Sequence, residues 1–277
     1  MSVILFTYLA VEGNVAGVEA LIPRDSKMEL VNIVQKRRKK MNTNRKNAIM
    51  AGVFYIIATV APISTVFFIG FLGGEIGGET IPDYLANVSA HENQVVIGML
   101  IELIYALAVV GIVVTLFPIL KKHNEALARG FFALRLIEAI YTLVGSLILL
   151  TLLTLSQEFV KAGVPDASYF QTTGDLLLAA RDWAFLIGSG LVWSLSALIL
   201  NYLLYQSKLV PRWLSVWGLA GAALSLATYL LKYFGIDLSD IAFLPIGVQE
   251  MVFAVWLIVK GVNESALAAG SANTDMN

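Results

Sequence analysis

The sequence predicts an all-α integral membrane protein, a bundle of six transmembrane helices with both termini in the cytoplasm. Three observations carry that prediction. Hydrophobic residues make up 58% of the 277-residue chain and charged residues 14%, against roughly 45–50% and 25% in soluble domains. The scarce charge is unevenly placed, with nine of the 19 Lys and Arg preceding Ala48, so the remainder cannot clothe a water-facing surface. Six stretches after that point reach the length of about 20 apolar residues that crosses roughly 30 Å of hydrocarbon.

Residues 1–47 read as a basic cytoplasmic arm without packing of its own. Val3–Val11 is apolar but short, has no basic residue before it and runs into Glu12, which fits neither a secretory signal nor a span. The following Gln-Lys-Arg-Arg-Lys-Lys run, residues 35–40, has two readings. It is a solvated arm held against anionic headgroups, or its codons form a purine-rich ribosome-binding sequence and translation starts at Met41.

The membrane domain is expected over residues 48–261, with spans at about Ala48–Leu72, Val95–Leu120, Phe131–Leu155, Trp183–Tyr205, Trp213–Phe234 and Phe243–Val259. Backbone amides find no water in hydrocarbon, so each span is a helix or part of a closed barrel. Barrel strands alternate in polarity over about ten residues; the run from Leu143 to Leu155 is continuous, which selects helices. Loop charge alternates. Gly73–Gln94 carries Glu75, Glu79, Asp83 and Glu92 and no basic residue, while Lys121–Gly130 carries Lys121, Lys122 and Arg129. Gln157–Asp182 is acidic on balance, Ser207–Arg212 holds Lys208 and Arg212, the fifth connection holds Asp237 and Asp240, and Lys260 follows the last span. The positive-inside rule therefore places both ends in the cytoplasm, and Trp183, Trp213, Tyr202 and Tyr205 fall at interface depths. Ser168–Asp182 is either a short surface helix or an outward extension of the fourth span, and residues 262–277 form a flexible tail.

Ionisable groups in a span cost on the order of 2.5–3.5 kcal/mol each at the bilayer centre, so they face the bundle interior and point to function. The predicted polar cluster is Arg135, Glu138, Tyr141, Glu250 and Glu102. Arg135 and Glu138 share a helix face at three-residue spacing. They form an inert staple, or Glu138 and Tyr141 line a polar cavity that opens to the cytoplasm. Arg135 is the one basic residue placed well inside a span, since Lys232 can snorkel and Arg181 and Lys260 end helices. It is expected to reach Glu138 or Glu250, whereas Glu102, toward the outer leaflet, is expected to be protonated or bonded to neutral groups. Gly188, Gly190, Ser194 and Ala197, and Gly218, Gly221, Ala222 and Ser225, form small-residue faces for close helix approach. Pro62 is expected to kink the first span, and Pro118 and Pro245 to end helices.

Several chemistries are excluded. The chain has no cysteine, which removes disulfides, thiol catalysis and thiolate metal sites. Its two histidines, His91 and His123, fall on opposite membrane faces, so no bis-histidine haem or His-rich zinc site forms. No zinc-protease, nucleophile-elbow or phosphate-loop motif is present. The Gly73-Gly74 and Gly77-Gly78 pairs sit in an acidic loop that repels phosphate, and Asn87-Val88-Ser89 is a chance-level glycosylation pattern. No cofactor, metal or nucleic-acid partner is expected, and an enzymatic role is disfavoured.

Three segments carry a family resemblance: Arg135-x-x-Glu138-Ala139-x-Tyr141; Tyr202 to Tyr205 leading through Ser207 to Leu209-Val210-Pro211-Arg212-Trp213-Leu214 and Gly218; and Pro245 to Glu250 followed by Trp256-Leu257-Ile258-x-Lys260-Gly261. Over about Met41–Val262 the chain resembles the bacterial membrane family of the domain of unknown function 4386, with Pro211, Arg212 and Trp213 as its most distinctive, membrane-interface segment. The resemblance implies a bacterial cytoplasmic membrane and supplies no activity. The expected function is binding or passage of a small molecule or lipid at an intramembrane polar cavity, with membrane lipids as partners. The alternative is a non-catalytic structural or regulatory role beside another membrane protein or a second copy of the chain.

Overall fold

The computed structural model describes residues 24–69, 81–163 and 167–274, and among them nine α-helices form and no strand. In chain order these are α1 Arg24–Ile69, α2 Ile81–Ala90, α3 Glu92–Leu120, α4 Glu125–Ala162, α5 Ala167–Phe185, α6 Trp193–Ser207, α7 Arg212–Tyr233, α8 Leu244–Val259 and α9 Glu264–Thr274. A π-helical stretch, Leu186–Val192, joins α5 to α6, and a 3-10 turn, Asp240–Phe243, leads into α8. The chain divides into two units, residues 1–44 and 45–277. In the first, α1 begins at Arg24. The Val3–Val11 stretch and the loop glycines Gly73, Gly74, Gly77 and Gly78 lie outside the described residues.

Six helices are long and apolar enough to cross a membrane: Thr43–Thr65, Glu92–Leu120, Glu125–Ala162, Tyr169–Ser207, Arg212–Tyr233 and Ile241–Val259. Their packing is turned inside out relative to a water-soluble bundle. Leu107 and Leu147 are 62% and 66% exposed, whereas Arg135 and Glu138 are 2% and 0% exposed. Apolar surface of that extent is stable only against hydrocarbon, so the chain is a multi-pass membrane protein.

Helix ends follow local chemistry. Asn124 caps α4, its side chain accepting from the Leu127 amide at 3.0 Å, with Glu125 in the first turn where the macrodipole favours an acid. Gly163, at φ 65°, closes the same helix in the left-handed conformation that glycine adopts without penalty. At about 57 Å for 38 residues, α4 outreaches the hydrocarbon.

Of the two readings of Ser168–Asp182, the outward extension of the fourth span holds: α5 continues through the π-helical stretch into α6 as one 39-residue span. Three expectations are corrected here. The acidic connection before α3 contains α2, whose Tyr84, Leu85 and Val88 pack with Leu149 and Leu152 of α4. Pro245 does not end a helix but opens α8, where its missing N–H costs nothing. The C-terminal tail carries α9, started by Asn263, whose Oδ1 accepts from the Ser265 amide at 3.1 Å, and it buries Leu267 in the core.

The first and last spans are tied at one end of the bundle. Arg45 donates from Nη1 to the Leu257 carbonyl at 2.8 Å and from Nη2 to the carbonyls of Ile258 at 2.6 Å and Val259 at 3.2 Å. These are last-turn carbonyls of α8, which have no intrahelical donor and sit at the negative end of the macrodipole. Arg45→Ala is expected to destabilise the bundle by about 2 kcal/mol, the worth of a charged hydrogen-bond clamp. Thermal unfolding in detergent micelles checks it; an unchanged midpoint would show the clamp to be idle.

Small residues set the remaining interfaces. A Cβ on Gly52 would fall 2.6 Å from the Ala254 carbonyl, and one on Gly111 would fall 2.7 Å from the Phe54 ring. Gly188 lies against Tyr141, Gly190 against Tyr229 and Gly221 against Ile246 backbone. Both expected small-residue faces are thus spent on contacts within the chain.

Candidate functional site

Two polar centres lie inside the bundle, both built on α4. In the first, Arg135 and Glu138 stand one turn apart, Nη1 of Arg135 lying 3.2 Å from Oε2 and 3.3 Å from Oε1 of Glu138. Glu250 on α8 approaches the second guanidinium nitrogen at 3.6 Å, and Nη2 also donates to the Tyr55 hydroxyl of α1 at 3.5 Å. Tyr105 of α3 donates to Glu138 at 2.5 Å. The guanidinium carbon sits 5.7 Å from the ring centroids of both Tyr55 and Phe131, a cation–π arrangement that offsets part of its lost hydration. Arg135 Nε has no hydrogen-bond partner among the described residues.

The second centre lies seven residues further along α4, about 10 Å by helical rise. Arg181 on α5 is ion-paired with Glu102 on α3, and its Nη1 donates to the Gly145 carbonyl at 2.7 Å. Ser146 donates to the other Glu102 oxygen at 2.6 Å. This corrects the expectation of neutral partners for Glu102, which is held by the Arg181 guanidinium as well as by the Ser146 hydroxyl. Arg181 does not end a helix, because the fourth span starts a dozen residues before it. Since α5 is packed on α4, the Arg181 side chain meets Glu102 within the bundle.

A cavity of about 530 Å³ joins the two centres. Arg135, Tyr141, Glu102 and Glu250 line it, while Glu138, fully buried, stands behind Arg135 and is not part of the wall. The π-helical stretch supplies Ser189, and Trp193 follows it on the same wall and is a hydrogen-bonding neighbour of Glu250. Single-turn π segments recur at functional positions because they turn side chains out of α register. The wall includes Pro62 and Thr65 near the C-terminal end of the first span and Asp182 of α5. The cavity therefore extends from Arg135 toward the end of the bundle opposite Arg45 and Lys260, rather than toward the termini as the second of the two readings of Glu138 and Tyr141 has it. In that direction it is stopped by apolar packing: Phe131 and Phe253 are buried, and the Tyr55 and Phe253 rings meet edge to face at 5.3 Å.

Of the predicted cluster, Arg135, Glu138 and Glu250 converge, Tyr141 faces the same cavity, and Glu102 belongs to the second centre. Pro211, Arg212 and Trp213 stand apart, at the start of α7. Sequence reasoning missed the partner roles of Tyr55, Tyr105, Ser146 and Arg181, and the buried pair in which Gln249 donates to Asn201 at 3.3 Å. Tyr55 and Tyr105 carried a readable signal, as hydroxyls deep within otherwise apolar spans. Among the described residues no group of three His, Asp or Glu side chains converges in a metal-ligating cluster.

Fold and site together define a six-span helical membrane protein with a charged, arginine-centred interior. The chain belongs to the family described as domain of unknown function (DUF4386), whose family model matches residues 50–261. Neither the curated proteins nor the solved structures searched yield a match.

Proposed function

We propose that the bundle binds a small amphipathic molecule in the cavity between its two arginine centres and serves the binding or passage of that molecule in a bacterial cytoplasmic membrane. The observation that carries this reading is the cavity wall itself. Three carboxylates, Glu102, Asp182 and Glu250, share it with two guanidiniums, Arg135 and Arg181, and with aromatic side chains such as Trp193 and Tyr229. Mostly apolar walls with a few convergent polar groups are the usual form of a small-molecule site. The surplus of carboxylates and the aromatic faces suit a ligand with a cationic group and an apolar body. A structural or regulatory role beside another membrane protein has less support, because the Gly, Ala and Ser faces that would serve it are occupied inside the chain. The alternation of basic and acidic loops supports cytoplasmic termini, which puts the end toward which the cavity extends on the far side of the membrane.

Native mass spectrometry of detergent-purified protein tests the reading. Wild-type protein is expected to carry a co-purifying small molecule, and Ala58→Phe, which fills the cavity from α1, is expected to lose at least nine-tenths of it. Identical ligand-free spectra for the two proteins would overturn the proposal.

A further inference from the structure

At the opposite end of the bundle, the turn between α6 and α7 and the segment after α8 border a second, open cavity of about 510 Å³. Lys208, Arg212 and Lys260 line it, and none forms an ion pair among the described residues. Its far wall is fixed by Asn263, whose amide donates to the Leu209 carbonyl at 2.8 Å and whose side chain donates to the Lys208 carbonyl at 3.5 Å.

Helix electrostatics account for two of these cations separately. Lys208 and Lys260 follow the C-terminal ends of α6 and α8, where positive charge is favoured. Arg212 is different, since it opens α7 and its charge opposes the macrodipole there. It rests over the Tyr205 ring at 5.2 Å, which orients the guanidinium without neutralising it. Lys208 is the only non-glycine residue among those described with a left-handed backbone, at φ 54°, a conformation in which glycine would be cheaper by about 1–2 kcal/mol. The cavity thus gathers three cations that no carboxylate among the described residues pairs, two at favourable helix C-termini and Arg212 at the unfavourable end of α7. An anion seated there would offset the Arg212 charge and be attracted by all three.

The surroundings identify the anion. The wall between the cations is apolar, formed by Val210, Pro211 and Trp256. Trp213 stacks on Trp217 at 6.4 Å and meets Trp256 edge to face at 6.5 Å, an aromatic cluster of the kind that marks the headgroup level. We propose that this cavity holds the phosphate of an anionic phospholipid, with the cations on the phosphate and the glycerol backbone against Trp256 and Pro211. It is the end of the bundle to which loop charge assigns the cytoplasmic leaflet, where anionic lipids supply such headgroups.

The test uses the full chain in detergent, delipidated and titrated with phosphatidylglycerol, phosphatidylcholine or soluble glycerol phosphate, read by native mass spectrometry and thermal midpoint. Phosphatidylglycerol is expected to bind and raise the midpoint, with binding weakened by salt; phosphatidylcholine and glycerol phosphate at equal concentration are not. Lys208→Gln with Lys260→Gln should bind phosphatidylglycerol about 30-fold more weakly, at roughly tenfold or less per surface cation. Both side chains are exposed and unpaired, so the lipid-free midpoint of this variant reports whether it folds; Arg212→Gln gives an independent second variant. Equal phosphatidylglycerol binding by wild type and both variants would overturn the proposal. So would equal stabilisation by phosphatidylcholine, and binding of glycerol phosphate alone with the same dependence on the three cations would show a soluble phosphate ligand instead.

Discussion

Arg135→Met is expected to lower the unfolding free energy of the bundle by about 3–5 kcal/mol, the cost of stripping the partner from a buried ion pair. The substitution leaves Glu138, fully buried, and Glu250, whose side chain is 15% exposed, without a countercharge. The Tyr105 hydroxyl donates to Glu138, but a neutral donor cannot replace a cation at that depth. Neutralising the carboxylates as well, in Arg135→Met with Glu138→Gln and Glu250→Gln, is expected to recover more than half of the loss, because an absent pair costs less than a lone charge. Equilibrium unfolding in mixed micelles, followed by the fluorescence of the five tryptophans, measures both. Strictly additive effects, or a single-variant loss below about 1 kcal/mol, would remove Arg135 from the centre of the bundle's electrostatics.

Gly218→Ala is expected to cost about 3 kcal/mol, an unusual amount for one methyl group, combining overpacking with lost buried hydrogen bonds. A Cβ at Gly218 would fall 2.0 Å from Oδ1 and 2.3 Å from Cγ of Asn201. Asn201 cannot retreat freely. Its Nδ2 donates to the Ala197 carbonyl at 2.9 Å, and its Oδ1 accepts from Gln249, which also donates to the Leu214 carbonyl at 3.2 Å. Asn201 and Gln249 are 3% and 2% exposed, so breaking this network strands polar groups in a dry interior. Gly247→Ala is the matched control: nothing lies within 4 Å of its added Cβ, so helix propensity alone should leave it neutral or stabilised by up to about 1 kcal/mol. Equal midpoints for the two variants in the same micelle would refute the close-packing account of α6 and α7.

Much of the polar interior was legible where its logic is local. Arg135 and Glu138 share a helix face by their three-residue spacing, and depth counted along the spans brought Glu250 to the same level and kept Glu102 away. The Glu102 partner was misjudged because hydropathy drew the start of the fourth span at Trp183. The apolar stretch is interrupted there by Arg181 and Asp182, yet the helix begins at Ala167, so a residue that looks terminal in a hydropathy window is interior to the helix. The direction of the cavity was illegible for a related reason. Which end of a polar centre is open depends on where aromatic rings plug it, and Phe131, Tyr55 and Phe253 come from three different helices.

By itself the sequence determined the six spans, the helical class, the Arg135–Glu138 pair and the small-residue faces. Each follows from composition or from spacing within one helix, which 3.6-residue periodicity converts directly into geometry. Only the tertiary structure decided that Arg181 neutralises Glu102, that Tyr105 donates to Glu138, that Arg45 closes the end of α8, and that Lys208, Arg212 and Lys260 surround one cavity. Those contacts join residues up to 214 positions apart. They depend on the rotation of each helix about its axis, which is set by the fit of glycines such as Gly52, Gly111 and Gly218 against neighbouring side chains and which periodicity within a single helix leaves free.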